Sequence, residues 1–139
     1  MSEEVKITER QLNTSEIISM VESDNSGSIN VFIGTVRNYT KGKEVIRLEF
    51  EAYESMAIKE MQKIIDEVKK RWPINHIVIH HRVGALNIGD IPVVIAVSTP
   101  HRKDGFEACQ FAIDTLKETV PIWKKEIFED GEEWVSAHP

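Results

Sequence analysis

With 139 residues and 41% hydrophobic content, the chain is sized for one domain covering residues 1–139, with enough apolar side chains for a real core. Its 17 Lys and Arg stand against 23 Asp and Glu, and the net charge of −6 excludes a general binder of nucleic acid or anionic membrane, so any bound anion must be held by a local pocket. The single cysteine excludes an internal disulfide, no apolar run is long enough to span a bilayer, and the opening MSEEVKITER has no leader-like character, so a cytoplasmic location is expected.

Residues 5–7 read as a short strand and 13–21 as a short helix, with Thr14 or Ser15 as cap and Ile17, Ile18 and Val21 apolar. After a polar loop at 23–28, residues 29–37 alternate like a strand covered in part on both faces, and Arg37 sits where it leaves the sheet. NYTKGK at 38–43 is a polar turn around Gly42. Residues 44–53 put Ile46, Leu48, Phe50 and Ala52 on one face, as in an antiparallel strand wet on the other side. Ser55 is positioned to cap a helix whose inward stripe is Ala57, Met61, Ile64, Val68 and Trp72, stopped by Pro73.

Two further strands, 76–83 and 91–99, are joined by a turn at 84–90, and the second is apolar on both faces, as expected in mid-sheet. His76, His80 and His81 offer nitrogen donors, but no Cys or close carboxylate completes a zinc-like spacing. No metal site is expected, and these are read as satisfied or surface histidines.

The stretch 101–126, HRKDGFEACQFAIDTLKETVPIWKKE, organises the rest. Asp104 with Glu107 has the pattern of a capping box, and Phe106, Cys109, Ile113, Leu116 and Val120 form the apolar stripe of the helix that follows. A thiol on that stripe is expected to be inert packing, so any sulfur chemistry takes its sulfur from another molecule. His101 and Arg102 precede the helix, whose unpaired N–H groups favour anions; Lys117 borders the apolar stripe; Pro121 ends the helix, and Lys124 and Lys125 follow as the chain turns back. This one segment gathers enough cations for an anion pocket. On spacing alone the alternative stands beside it, because lysines late in a helix also suit its negative end.

Residues 123–128 and 132–135 flank Asp130-Gly131, a hairpin signal, and place Lys124 and Glu126 on one strand face with Lys125 on the other. The order of elements indicates an α+β domain with a mixed, largely antiparallel sheet, helices packed against it and a C-terminal hairpin. A Gly-rich phosphate loop, a C-x-x-C pair and a G-x-S-x-G elbow are all missing from the sequence.

The run S-T-P-H-R-x-x-x-F-E-A, then L-K and P-I-W-K-K-E, is preceded by G-T-V-R-N at 34–38, R-W-P at 71–73 and H-R-V-G at 81–84. In that order these motifs resemble the molybdopterin synthase catalytic (large) subunit family, MoaE, over residues 29–135. The resemblance implies an α/β hammerhead-like fold and a sulfurtransferase with no cofactor of its own. It further implies a homodimer at the centre of a heterotetramer, with a small ubiquitin-like sulfur-carrier subunit at each end. That partner's C-terminal Gly-Gly thiocarboxylate would supply two sulfurs to cyclic pyranopterin monophosphate, giving molybdopterin.

Carried onto this sequence, the implied site comprises Thr35, Val36 and Arg37, then His101 and Arg102, Lys117, and Lys124 with Lys125 and Glu126. Guanidinium forks match phosphate oxygens, which suits Arg37 and Arg102, with His101 as a further donor. Lys117 and Lys124 are the expected catalytic pair, Lys117 first, because a lysine beside an apolar stripe is easily desolvated. Thr35 departs from the basic residue frequent at its position in the family, leaving the backbone of Thr35 and Val36 to contribute. A non-catalytic module that binds a phosphorylated small molecule is the alternative.

Overall fold

The computed structural model describes residues 4–136. In chain order the elements are β1 (Val5–Thr8), α1 (Thr14–Ser19), β2 (Ser28–Gly34), β3 (Tyr39–Thr40), β4 (Lys43–Ala52) and α2 (Glu54–Arg71). They continue with β5 (His76–Arg82), β6 (Gly84–Asn87), β7 (Val93–Thr99), α3 (Arg102–Thr119), β8 (Ile122–Phe128) and β9 (Gly131–Ser136). The α+β class and the dominance of antiparallel pairing are as expected, but the strands divide between two sheets. The first runs β1-β5-β7-β2, with only the β1–β5 pair parallel. In the second, β3, β4, β8 and β9 follow one another and β6 pairs with β4.

β7 lies inside the first sheet and all of its residues are buried, which is why its sequence is apolar on both faces. One face of that sheet meets α2 and α3: Ile77, Ile79, Ile95 and Val97 pack with Met61, Ile65, Ala108 and Leu116. The opposite face, Val78, Val94 and Ala96, is covered by Leu12, Ile17 and Val21 around α1. The larger cluster continues into the second sheet through Leu48, Phe50 and Ile122, so a single core joins both sheets to α3. Met61 lies at its middle with no exposed surface. Met61→Ala is expected to lower unfolding free energy by about 2–5 kcal/mol, read from urea unfolding curves of the two chains.

Several local expectations are corrected. A bulge between Val45 and Arg47 shifts the register of β4, so Val45 is buried and Ile46, expected inside, is 46% exposed. The turn expected at 84–90 contains β6, and the polar turn at 38–43 is a hairpin. In that hairpin β3 pairs with β4 across Lys41 and Gly42, both at positive φ. The cap of α1 is Asn13, whose Oδ1 accepts from the Glu16 N–H at 3.0 Å, rather than Thr14 or Ser15. α2 starts at Glu54, ahead of Ser55, with no side-chain cap.

α3 begins two residues before Asp104, with His101 at the N-cap position. Glu107 does not close a capping box, and its carboxylate accepts instead from the indole N–H of Trp72 at 3.1 Å. The buried face of α3 is Gly105, Ala108, Ala112, Ile113 and Leu116, which leaves Phe106 59% exposed. Small residues win those positions because the helix lies close on β2 and β7; a Cβ at Gly105 would run into Asn30 and Thr99. In the C-terminal hairpin Phe128 pairs with Gly131, so the two turn residues are Glu129 and Asp130, one earlier than expected.

Candidate active site

A cavity of about 110 Å³ opens where the last turns of α3 meet both sheets. Phe32, Leu48, Phe50, Val93, Leu116 and Ile122 give it apolar walls, and Thr35, His81, Lys117 and Lys124 supply its polar groups. Lys117 is half-buried, next in sequence to Leu116 on the packed face of α3. Lys124 follows from strand alternation: Ile122, Lys124 and Glu126 turn inward from β8, and Phe50 of β4 pairs with Lys124. Burial holds the Lys124 ammonium below its ordinary pKa; Glu126 acts against this, while Lys117 and Arg37 add to it. Glu126, only 4% exposed, is thus the counter-charge within this group of three cations.

Arg37 lies past the end of β2, exposed, yet its charge reaches Lys124. Val36 is buried, and its N–H donates to the Asp90 carbonyl at 2.9 Å while its own carbonyl accepts from Gly89 at 2.8 Å. The Val36 N–H and carbonyl therefore already have partners within the chain, while Thr35 lies at the cavity wall. Lys125 points to the other face of β8, as alternation predicts. There it pairs with Glu132 at 3.5 Å and lies 4.8 Å from the centroid of the Trp134 ring. It does not line the cavity.

His101 and Arg102 are exposed at the opposite end of α3 from Lys117. Lys117 lies fifteen helical steps after Arg102, which puts the two roughly 22 Å apart along the helix axis. The expectation that one segment gathers all these cations is therefore not met within one chain: Arg37, Lys117, Lys124 and Glu126 come together, and His101 and Arg102 stand apart.

Known proteins match this chain closely. The profile of the MoaE protein family matches residues 7–119. The chain belongs to the MoaE family. It is 50% identical over 133 residues to the molybdopterin synthase catalytic subunit of Bacillus subtilis, an alignment covering 96% of this chain and 85% of that one. The crystal structure of molybdopterin synthase from Staphylococcus aureus superposes with a TM-score of 0.92 at 43% identity, covering 97% of this chain and 98% of that one. A protein–protein complex of subunits 1 and 2 of molybdopterin-converting factor from Helicobacter pylori shares the fold, with a TM-score of 0.80 at 23% identity and coverage of 97% and 93%. With its family membership the chain is an enzyme of the molybdopterin synthase class.

In this MoaE-family chain the residue that sequence reasoning missed is His81. It was grouped with His76 and His80, yet adjacent strand positions face opposite ways, and His81 turns into the cavity while His80 does not. The signal was present in the alternation of β5, where Ile77 and Ile79 face the same core. Burial pushes the His81 pKa down to about 4, the Arg82 carbonyl acts against this, and the Lys117 charge adds to it. The folded ring therefore takes up a proton near pH 4, and the unfolded ring near 6.5. Its contribution to stability is complete above pH 6.5 and is withdrawn as pH falls toward 4, by about 3 kcal/mol. Urea unfolding at pH 7 and pH 4 should show that loss in the wild type, and a smaller one in His81→Gln.

Cys109 is pushed up to about 11 by burial, so at neutral pH it is a thiol rather than a nucleophilic thiolate. Among the described residues no group of three or more His, Cys, Asp or Glu could hold a metal ion, and no helix is long and apolar enough to cross a membrane.

Proposed function

We propose that this single domain is the sulfurtransferase subunit that converts cyclic pyranopterin monophosphate to molybdopterin in the cytoplasm. The sulfur comes from the C-terminal Gly-Gly thiocarboxylate of a small ubiquitin-like partner. The observation that carries this reading is the pairing of Lys117 and Lys124 at one apolar cavity, with Arg37 close by and Glu126 as counter-charge. Opening the cyclic phosphate and replacing oxygen by sulfur both develop negative charge, and ammonium groups in a low-dielectric wall stabilise it strongly. A lysine whose pKa is lowered by burial and by neighbouring cations also exchanges protons more readily near neutrality, which suits Lys124. Both the phosphate and the thiocarboxylate are anions, so the same cations draw substrate and donor into an otherwise acidic molecule.

His101 and Arg102 take part as phosphate ligands of a neighbouring copy, since the length of α3 keeps them from their own Lys117. This requires a homodimer, with the partner subunits completing a heterotetramer. Lys125, bound to Glu132 on the far face of β8, is left to support the strand. The test is direct: the purified chain is mixed with a thiocarboxylated Gly-Gly partner and the cyclic pterin, and dithiolene product is measured. Product formation is expected, and none with a competent donor would overturn the assignment.

A further inference from the structure

The sulfur-transfer chemistry above gives no role to His81, the titratable group that shares the cavity with the two lysines. His81 Nδ1 lies 2.8 Å from the carbonyl oxygen of Arg82, and a carbonyl only accepts, so Nδ1 carries the ring proton. A neutral imidazole protonated there has a bare lone pair on Nε2. The ring is held edge-on to Phe50, with centroids 5.5 Å apart, so that lone pair has a fixed direction. Among the described residues no sealed-in side-chain nitrogen or oxygen lacks a hydrogen-bond partner. Nε2, which has no hydrogen-bond partner among the described residues, therefore opens on the cavity that His81 lines with Lys117. Leu48, Phe50, Val93 and Leu116 line the same cavity with carbon, and the Lys117 charge is close enough to act on the ring.

We propose that His81 is a positioning residue for Lys117: a rotation of the lysine side chain brings Nζ onto the Nε2 lone pair, which fixes the amine toward the reacting atoms. A neutral acceptor suits this task better than a carboxylate would. Lysine Nζ donates whether charged or neutral, so imidazole orients it in both states, whereas a carboxylate would lock it as the ammonium. Fixing a long, flexible side chain in advance removes an ordering cost from the reaction step.

This inference rests on the reading of Lys117 as a reacting group, and the test separates the two. In His81→Asn the amide nitrogen can replace Nδ1 as donor to Arg82, but nothing replaces Nε2; in His81→Gln the longer side chain returns an amide oxygen to the Nε2 position. His81→Asn should lower kcat roughly tenfold or more with KM within about twofold, and His81→Gln should stay within about threefold of wild type in kcat. A structural role for His81 predicts the reverse ranking, with Asn the better tolerated. That result, or an effect confined to KM, overturns the proposal. Nitrogen-15 NMR of the ring needs no turnover: the Nε2 resonance should move when Lys117 is changed to Met. A resonance that stays in place overturns the positioning role even in a protein that makes product, and one that moves in a protein that makes none would leave the contact standing while the sulfur-transfer reading fails.

Discussion

Lys117→Ala is expected to reduce turnover by about 100- to 1,000-fold while leaving the fold and the docking of the partner subunit intact. The size of the loss follows from the surroundings of the amine. Leu116 and Ile113 place it against carbon, and an ion in such a wall acts on developing charge at a much lower effective dielectric than water provides. The fold should survive because Lys117 holds no ion pair among the described residues, and the alanine methyl fits a helical position at the edge of the packed face. Single-turnover measurements with the thiocarboxylated donor read the rate, thermal melting reads the fold, and co-purification reads the partner. Lys117→Arg separates two roles, since a guanidinium keeps the charge and cannot give up its proton. If Arg restores most of the rate, Lys117 acts by charge; if it restores none, it acts by moving a proton. A variant that binds its ligands more weakly yet turns over at the wild-type rate would mean that Lys117 only binds.

Much of this cavity could be read from the chain alone, and the parts that could not share physical causes. Period-two alternation placed Lys124 and Glu126 on one face of β8 and Lys125 on the other, because strand geometry fixes side-chain direction residue by residue. The same reasoning failed at Ile46, where a bulge that no residue type announces moves the buried position to Val45. It failed again at Phe106: helical periodicity allows more than one stripe, and close packing on β2 and β7 selects the row of small residues over the row of large ones. His81 was hidden by the opposite problem, since three neighbouring histidines draw attention to metal spacing, and of the two buried ones, His80 and His81, only His81 lines the cavity. The backbone of Val36 was also beyond reach, because its partners Gly89 and Asp90 lie 53 and 54 positions further along the chain.

Mixing Lys117→Ala with Arg102→Ala is expected to restore activity that neither variant has alone. An 18-residue α3 is a rigid spacer, and it keeps His101 and Arg102 roughly 22 Å from the Lys117 of the same chain. In a two-fold dimer each surface patch meets its counterpart, so the start of one α3 can serve the cavity of the other copy, and the same happens in return. A dimer of one Lys117→Ala chain and one Arg102→Ala chain then has one site lacking both residues and one site lacking neither. After random exchange half of the dimers are mixed, and each has one of two sites whole, so about one quarter of wild-type activity returns. If Arg102 instead acted beside its own Lys117, every site in the mixture would lack one residue or the other, and the mixture would be as inactive as its parts. The contrast is large because removing a guanidinium that neutralises phosphate leaves that charge without its bidentate partner at every turnover. Activity that stays at the level of the single variants after verified exchange of subunits would place Arg102 outside the shared site and leave phosphate binding to Arg37 and the two lysines.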